Sequence, residues 1–142
     1  MQGKRAMRNA TLFLALGMTF NVYAATPQEI LNSYIPQAKQ ENPAFKAFTP
    51  SRGEQFYHAK RTHSGGKQMS CAACHTDNPK NAGSHAKTHK KILPLAPAVN
   101  KERFTDSAKV EKWFKRNCQD VLERPCTAQE KGDFIAYLLS VK

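Results

Sequence analysis

Cys71-Ala72-Ala73-Cys74-His75 holds more chemistry than any other stretch of this chain. Two thiols three positions apart, followed at once by histidine, are the attachment signature of a c-type haem. The sulfurs reach one edge of a porphyrin, one for each vinyl group, and the next imidazole comes beneath the ring to bind iron. Two other chemistries use a Cys-x-x-Cys pair. A redox dithiol goes with strands alternating with helices, and no convincing strand is evident here. A zinc site would recruit Cys118 and Cys126, at a spacing long for a zinc knuckle. In an oxidising compartment those two cysteines instead predict a disulfide.

The chemistry of a haem depends on its sixth ligand, and methionine is the usual one in small electron carriers. Of four methionines, Met1, Met7 and Met18 fall in a predicted leader, Met69 lies on the attachment side, and none follows His75. The remaining candidates are His58, His63, His85, His89 and lysines, together with one amide. Val110, Trp113, Phe114 and Asn117 recur at i, i+3, i+4 and i+7, one face of a helix expected from about Asp106 to Cys118. On an inward face Asn117 needs a polar partner. Iron is one candidate, and a helix C-terminal bond to backbone is the ordinary alternative.

These groups must be positioned by a small chain. Residues 1–24 predict a cleavable export signal: Lys4, Arg5 and Arg8 precede an apolar run from Leu12 to Phe20, and Val22-Tyr23-Ala24 offers a cleavage site. The run is too short to span a bilayer, and no later stretch is long and apolar enough, so the mature protein is expected to be periplasmic and not membrane-integral. The formal charge of +11 suggests an acidic redox partner, and a periplasmic address argues against nucleic acid. Residues 25–142 are enough for one domain.

Helix signals dominate the rest. Thr26-Pro27-Gln28-Glu29 forms a capping pattern ahead of Ile30, Leu31, Tyr34, Ile35 and Ala38 at helical spacing, and Pro43 stops that helix. Thr49-Pro50 opens a second, running to about Arg61, and Gly65-Gly66 breaks it. Ser70 can cap a short helix carrying the cysteines. Residues 76–104 are loop-rich and, around Lys80, Lys87, Lys90 and Lys91, the most basic part of the chain. Thr127 with Glu130 opens the last helix. The expectation is an all-α, class I cytochrome c-like fold of four to five helices around one covalent haem c. Gly53 is the expected close-approach residue where a first and a last helix cross.

The run from Arg103 to Cys118 (RFTDSAKVEKWFKRNC), the run from Cys126 to Asp133 (CTAQEKGD) and Pro94-Leu95-Ala96-Pro97 resemble the sphaeroides haem protein (SHP) family of monohaem cytochromes c. The likeness runs from about Gly53 to the C-terminus. It implies His75 and Asn117 as axial iron ligands, a Cys118–Cys126 disulfide, and binding of small gases such as oxygen, nitric oxide or carbon monoxide by the reduced protein. It also implies a dihaem cytochrome c and a membrane b-type cytochrome as partners. Where that family usually has Thr-Gly-Lys, this chain has Thr88-His89-Lys90, which makes His89 a rival ligand. Residues 25–52 carry no family motif and are expected to form an N-terminal helical extension. Supporting roles are expected for the Pro94 carbonyl as acceptor of the His75 ring N–H and for Trp113 against the haem. Arg116 is a candidate partner for a propionate. The alternative functions are a haem enzyme reducing peroxide, oxygen or nitric oxide, against which stands the lack of a dedicated acid–base constellation, and a bis-histidine electron carrier using His85 or His89.

Overall fold

A computed structural model describes residues 24–142; the predicted leader, up to residue 23, lies outside the described residues. Six helices and two small antiparallel hairpins follow one another: α1 (Pro27–Ser33), α2 (Ile35–Glu41), α3 (Pro50–His58), β1 (Arg61–Thr62), β2 (Gln68–Met69), α4 (Ala72–His75), β3 (Gly83–Ser84), β4 (Lys91–Ile92), α5 (Ser107–Leu122) and α6 (Ala128–Ser140). Strand β1 pairs with β2 and β3 with β4. The fold is thus mostly helical, with strands that sequence periodicity did not show, because two residues are too few to display alternation.

Local signals explain the helix ends. Thr26 and Glu29 form a reciprocal capping box at α1, and Thr127 and Glu130 form another at α6. The single helix expected over residues 27–42 is two, since Pro36 has no N–H to give the Asn32 carbonyl, and the chain kinks at Tyr34. Helix α3 stops at His58, short of Arg61, which is paired in β1 with Met69 of β2. Helix α5 runs past Cys118 to Leu122 and ends at Glu123 in the left-handed conformation, φ 56°. Asn117 therefore lies inside α5 and not at its end.

Helices α3 and α6 make the most extensive helix contact in the structure. A Cβ on Gly53 would stand 1.9 Å from the Asp133 carbonyl oxygen and 2.7 Å from Tyr137 Cβ, so glycine sets the approach. Asp133 is buried, and its carboxylate accepts from the Thr49 N–H (2.7 Å) and from Arg52 Nε and Nη2 (2.8 and 2.9 Å). One side chain of α6 thereby ties down the start of α3.

The N-terminal helices belong to the core. Ile30, Leu31, Tyr34 and Ala38 are buried. Tyr34 meets Phe114 edge-on with centroids 6.2 Å apart, and its hydroxyl donates to the Glu111 carboxylate. Glu41 Oε2 accepts the Ala128 N–H at 2.8 Å, supplying one of the otherwise unpaired donors at the start of α6. Cys118 and Cys126 are joined in a disulfide, Cα–Cα 5.6 Å, which ties α5 to the start of α6.

Two outcomes follow for stability. Gly53→Ala forces the α3–α6 backbones apart and is expected to lower stability by about 3 kcal/mol in a denaturant melt. Gly65→Ala, whose Cβ meets nothing within 4 Å, serves as the unaffected control. His89 holds a φ of 54° in the turn between β3 and β4, which accounts for glycine at this position in the related pattern. His89→Gly is expected to raise stability by about 0.5–1 kcal/mol, read from the same melts.

Candidate haem site

The attachment helix α4 is a single turn. Ser70 Oγ accepts the Ala73 N–H at 3.1 Å, and both Cys71 and Cys74 are half-buried free thiols. Burial pushes the Cys71 thiol up to about 11. A Cβ on Gly83 would lie 2.0 Å from the Cys74 carbonyl oxygen, so the start of β3 packs directly on the backbone of α4. His75 closes the helix. Loss of water around its ring, and then the positive charge of Arg103, hold its pKa down at about 4. The imidazole is neutral at pH 7, the form a metal ligand requires.

Thr76, the next residue, adopts φ 66° and ψ 165°, a conformation strained for any residue but glycine. The chain turns sharply away from α4 here. Two bonds hold it: the hydroxyl of fully buried Tyr57 donates to the Thr76 carbonyl at 2.6 Å, and Thr76 Oγ1 donates to the Asn78 carbonyl at 2.8 Å. Tyr57 lies on α3 against Tyr137 of α6, centroids 5.5 Å apart, so the helix crossing fixes the turn beside His75.

The segment after β4 is organised by Arg103. Its Nε donates to the Pro94 carbonyl at 2.8 Å and its Nη2 to the Leu93 carbonyl at 2.6 Å, while Asn100 Nδ2 donates to Pro94 at 3.1 Å. The Pro94 carbonyl thus accepts from Arg103 and Asn100, and no hydrogen bond joins it to His75 among the described residues. Sequence reasoning missed Arg103 and the role of Tyr57. Arg103 stood only as the first residue of the related run, and nothing beside Tyr57 in the sequence points to Thr76.

On α5 the buried row is Val110, Phe114, Cys118 and Val121. Trp113 and Asn117 fall on the neighbouring row and are exposed, which corrects the expectation that all four of Val110, Trp113, Phe114 and Asn117 face inward. The Arg116 guanidinium lies 5.3 Å from the Trp113 ring centroid. The Asn117 amide has no hydrogen-bond partner among the described residues. The histidines are engaged elsewhere. His63 Nε2 is 3.1 Å from the Val121 carbonyl, His58 Nδ1 is 3.6 Å from Asp77, and His85 Nδ1 accepts the N–H groups of Lys87 and Thr88. His89 is exposed in its turn.

These residues fit a covalent haem. Two free thiols on one helical turn and an adjacent neutral imidazole are the required donor set. Leu93, Val99 and Trp113, at 59%, 53% and 43% exposure, are the large apolar side chains left on the surface among the described residues. A zinc site does not fit, since the disulfide takes Cys118 and Cys126 and no cluster of three metal-ligating side chains occurs among the described residues.

The chain is similar to several known proteins. A family model described as a domain of unknown function, DUF1924, matches residues 43–138. Cytochrome c'' of Methylophilus methylotrophus is 38% identical over 138 residues, covering 94% of this chain and 96% of that protein. The cytochrome c-type protein SHP of Cereibacter sphaeroides is 49% identical over 79 residues, 54% of this chain and 60% of SHP. A solution structure of cytochrome c'', concerned with haem-ligand detachment, superposes with a TM-score of 0.72 at 42% identity, over 80% of this chain and 92% of that one. A structure of oxidised SHP, an oxygen-binding cytochrome c, gives 0.70 at 34% identity, over 81% and 96%. The chain therefore belongs to the DUF1924 family, homologous to cytochrome c'' and SHP, and is a monohaem cytochrome c with one covalent haem.

Proposed function

We propose that this protein is a periplasmic electron carrier whose ferric haem is ligated by His75 and Asn117, and whose reduction frees Asn117 so that small gases can bind. Cys71 and Cys74 form the thioether links. The haem supplies a one-electron couple and a sixth coordination position. The observation that carries the reading is Asn117 itself: exposed on the same α5 row as Trp113, uncommitted among the described residues, and next to a cysteine locked to α6. Relatives described as oxygen-binding and as detaching a haem ligand support it. The bis-histidine alternative loses ground because His63 and His85 are bonded elsewhere and His89 sits in a strained turn.

The redox dependence follows from donor chemistry. An amide oxygen is a hard, neutral, weak donor and suits the ferric state better than the softer ferrous one. Inside a helix and beside a disulfide, Asn117 has little backbone freedom, so it leaves by side-chain rotation. Reduced protein is expected to bind carbon monoxide quickly. Asn117→Ala is expected to leave the oxidised protein high-spin or water-ligated, and His89→Ala to change no spectrum. The material for these spectra is the exported holoprotein, whose intact mass should show one haem and a start near Ala25. Wild-type ferric spectra from Asn117→Ala, with altered spectra from His89→Ala or His85→Ala, would establish the bis-histidine carrier instead.

The redox partner is acidic, with a dihaem cytochrome c and a membrane b-type cytochrome as the partner types implied by the family likeness. Lys80, Lys87, Lys90 and Lys91 lie on and beside the β3–β4 hairpin, which packs on α4, and so put positive charge close to the attachment turn. Encounter with such a donor is expected to slow as salt rises, and Lys90→Glu to slow it about two- to threefold at low salt. Stopped-flow reduction at two ionic strengths measures both, and rates indifferent to salt and to Lys90→Glu would remove this hairpin from the docking face.

A further inference from the structure

The ligand-bearing helix α5 is fastened at its end by something other than the disulfide. Ser64, in the turn between β1 and β2, donates its backbone N–H to Glu123 Oε2 at 2.8 Å and its hydroxyl to Glu123 Oε1 at 2.9 Å. The neighbouring His63 places Nε2 at 3.1 Å from the Val121 carbonyl. A carbonyl only accepts, so this nitrogen carries the proton. The turn is closed internally by the His63 N–H on the Lys67 carbonyl and the Gly66 N–H on the His63 carbonyl, at 2.9 and 2.8 Å. Two donors on one carboxylate hold Glu123 ionised, with its pKa below the usual range.

With Asn117 as ligand, these contacts join the same two parts of the chain that the haem would join. Strand β2 ends at Met69 and the chain reaches Cys71 two residues on. Glu123 is the left-handed residue that ends α5, and Val121 lies one helical turn beyond Asn117. The last turn of α5 is thus tied to the hairpin that leads into the attachment cysteine, while the disulfide ties the same turn to α6. Asn117 lies just ahead of both ties.

We propose that the β1–β2 hairpin is a latch for the ligand-bearing end of α5, with Ser64, His63 and Glu123 as positioning residues that set how readily Asn117 leaves the iron. This rests on Asn117 being the ferric ligand. With the latch closed, α5 holds the amide in reach and restores it after each departure. With the latch open, the last turn of α5 frays and the amide returns more slowly. None of the three residues touches the entering gas; they act through the helix.

Imidazole binding to ferric holoprotein tests the latch, because imidazole enters only after Asn117 has left. Glu123→Ala is expected to speed binding about fivefold, the equivalent of one ordinary net hydrogen bond at an exposed site. Ser64→Ala keeps the backbone N–H and is expected to give a smaller gain. Amide hydrogen exchange at residues 119–122 should accelerate in both. Asn117→Ala is expected to bind imidazole fastest, and adding Glu123→Ala to it should bring no further gain. If Asn117→Ala is fast while Glu123→Ala and Ser64→Ala bind as wild type does, the latch is wrong and the ligand assignment stands. If the double variant gains the same factor as Glu123→Ala alone, Glu123 acts elsewhere and the latch is likewise wrong. If Asn117→Ala itself matches wild type, the ligand assignment fails, and the latch with it.

Discussion

The close approach of α3 to α6 at Gly53 is the constraint on which the rest of this structure depends. With no side chain there, two backbones meet, and buried Asp133 can collect the Thr49 N–H and the Arg52 guanidinium. The crossing also brings Tyr57 to Tyr137 and sends the Tyr57 hydroxyl to the Thr76 carbonyl. Thr76 is strained and follows the proximal histidine candidate directly. A chain of packed contacts therefore runs from a helix crossing to the orientation of one imidazole. Strain of this kind persists only where surrounding structure outweighs it, and the fully buried tyrosine is that surrounding structure.

A second set of contacts places α5. Tyr34 and Phe114 pack edge-on, Phe114 meets Phe134 with centroids 5.6 Å apart, and Lys131 bridges to Glu111 at 2.8 Å. Tyr34, between α1 and α2, and helix α6 thus hold α5 beside its buried row, leaving the row of Trp113 and Asn117 exposed. The division of labour is clear in residue type: aromatic rings locate the helix, and the small polar amide stands where no packing demands it.

Much of this was legible in the sequence. Capping boxes at Thr26 and Thr127, the break at Pro43 and the glycine of the crossing each rest on one local rule, and each occurs where that rule put it. The haem motif was legible because its chemistry needs consecutive residues. What stayed hidden depends on partners distant in sequence. Nothing near Glu41 announces that it pairs with Ala128, and nothing near Tyr57 announces Thr76. The buried row of α5 was misjudged because Trp113 is apolar enough to be taken for core. His89 is the reverse case: the departure from glycine was visible, and the positive φ behind it needed the structure.

The Glu41–Ala128 contact has a consequence for how the protein is made. A chain synthesised N-terminus first presents α1 to α4 well before α6. Until α6 arrives, Gly53 has nothing to cross, Tyr57 has no Tyr137, and Glu41 faces solvent. Contacts this far apart in sequence close late, because the loop between them must be ordered first. During that interval Cys71 and Cys74 belong to a chain whose central helix crossing has not yet formed. Helix α6 is thus the bolt of the fold: the attachment turn is already in the chain when the crossing that steadies it can first close.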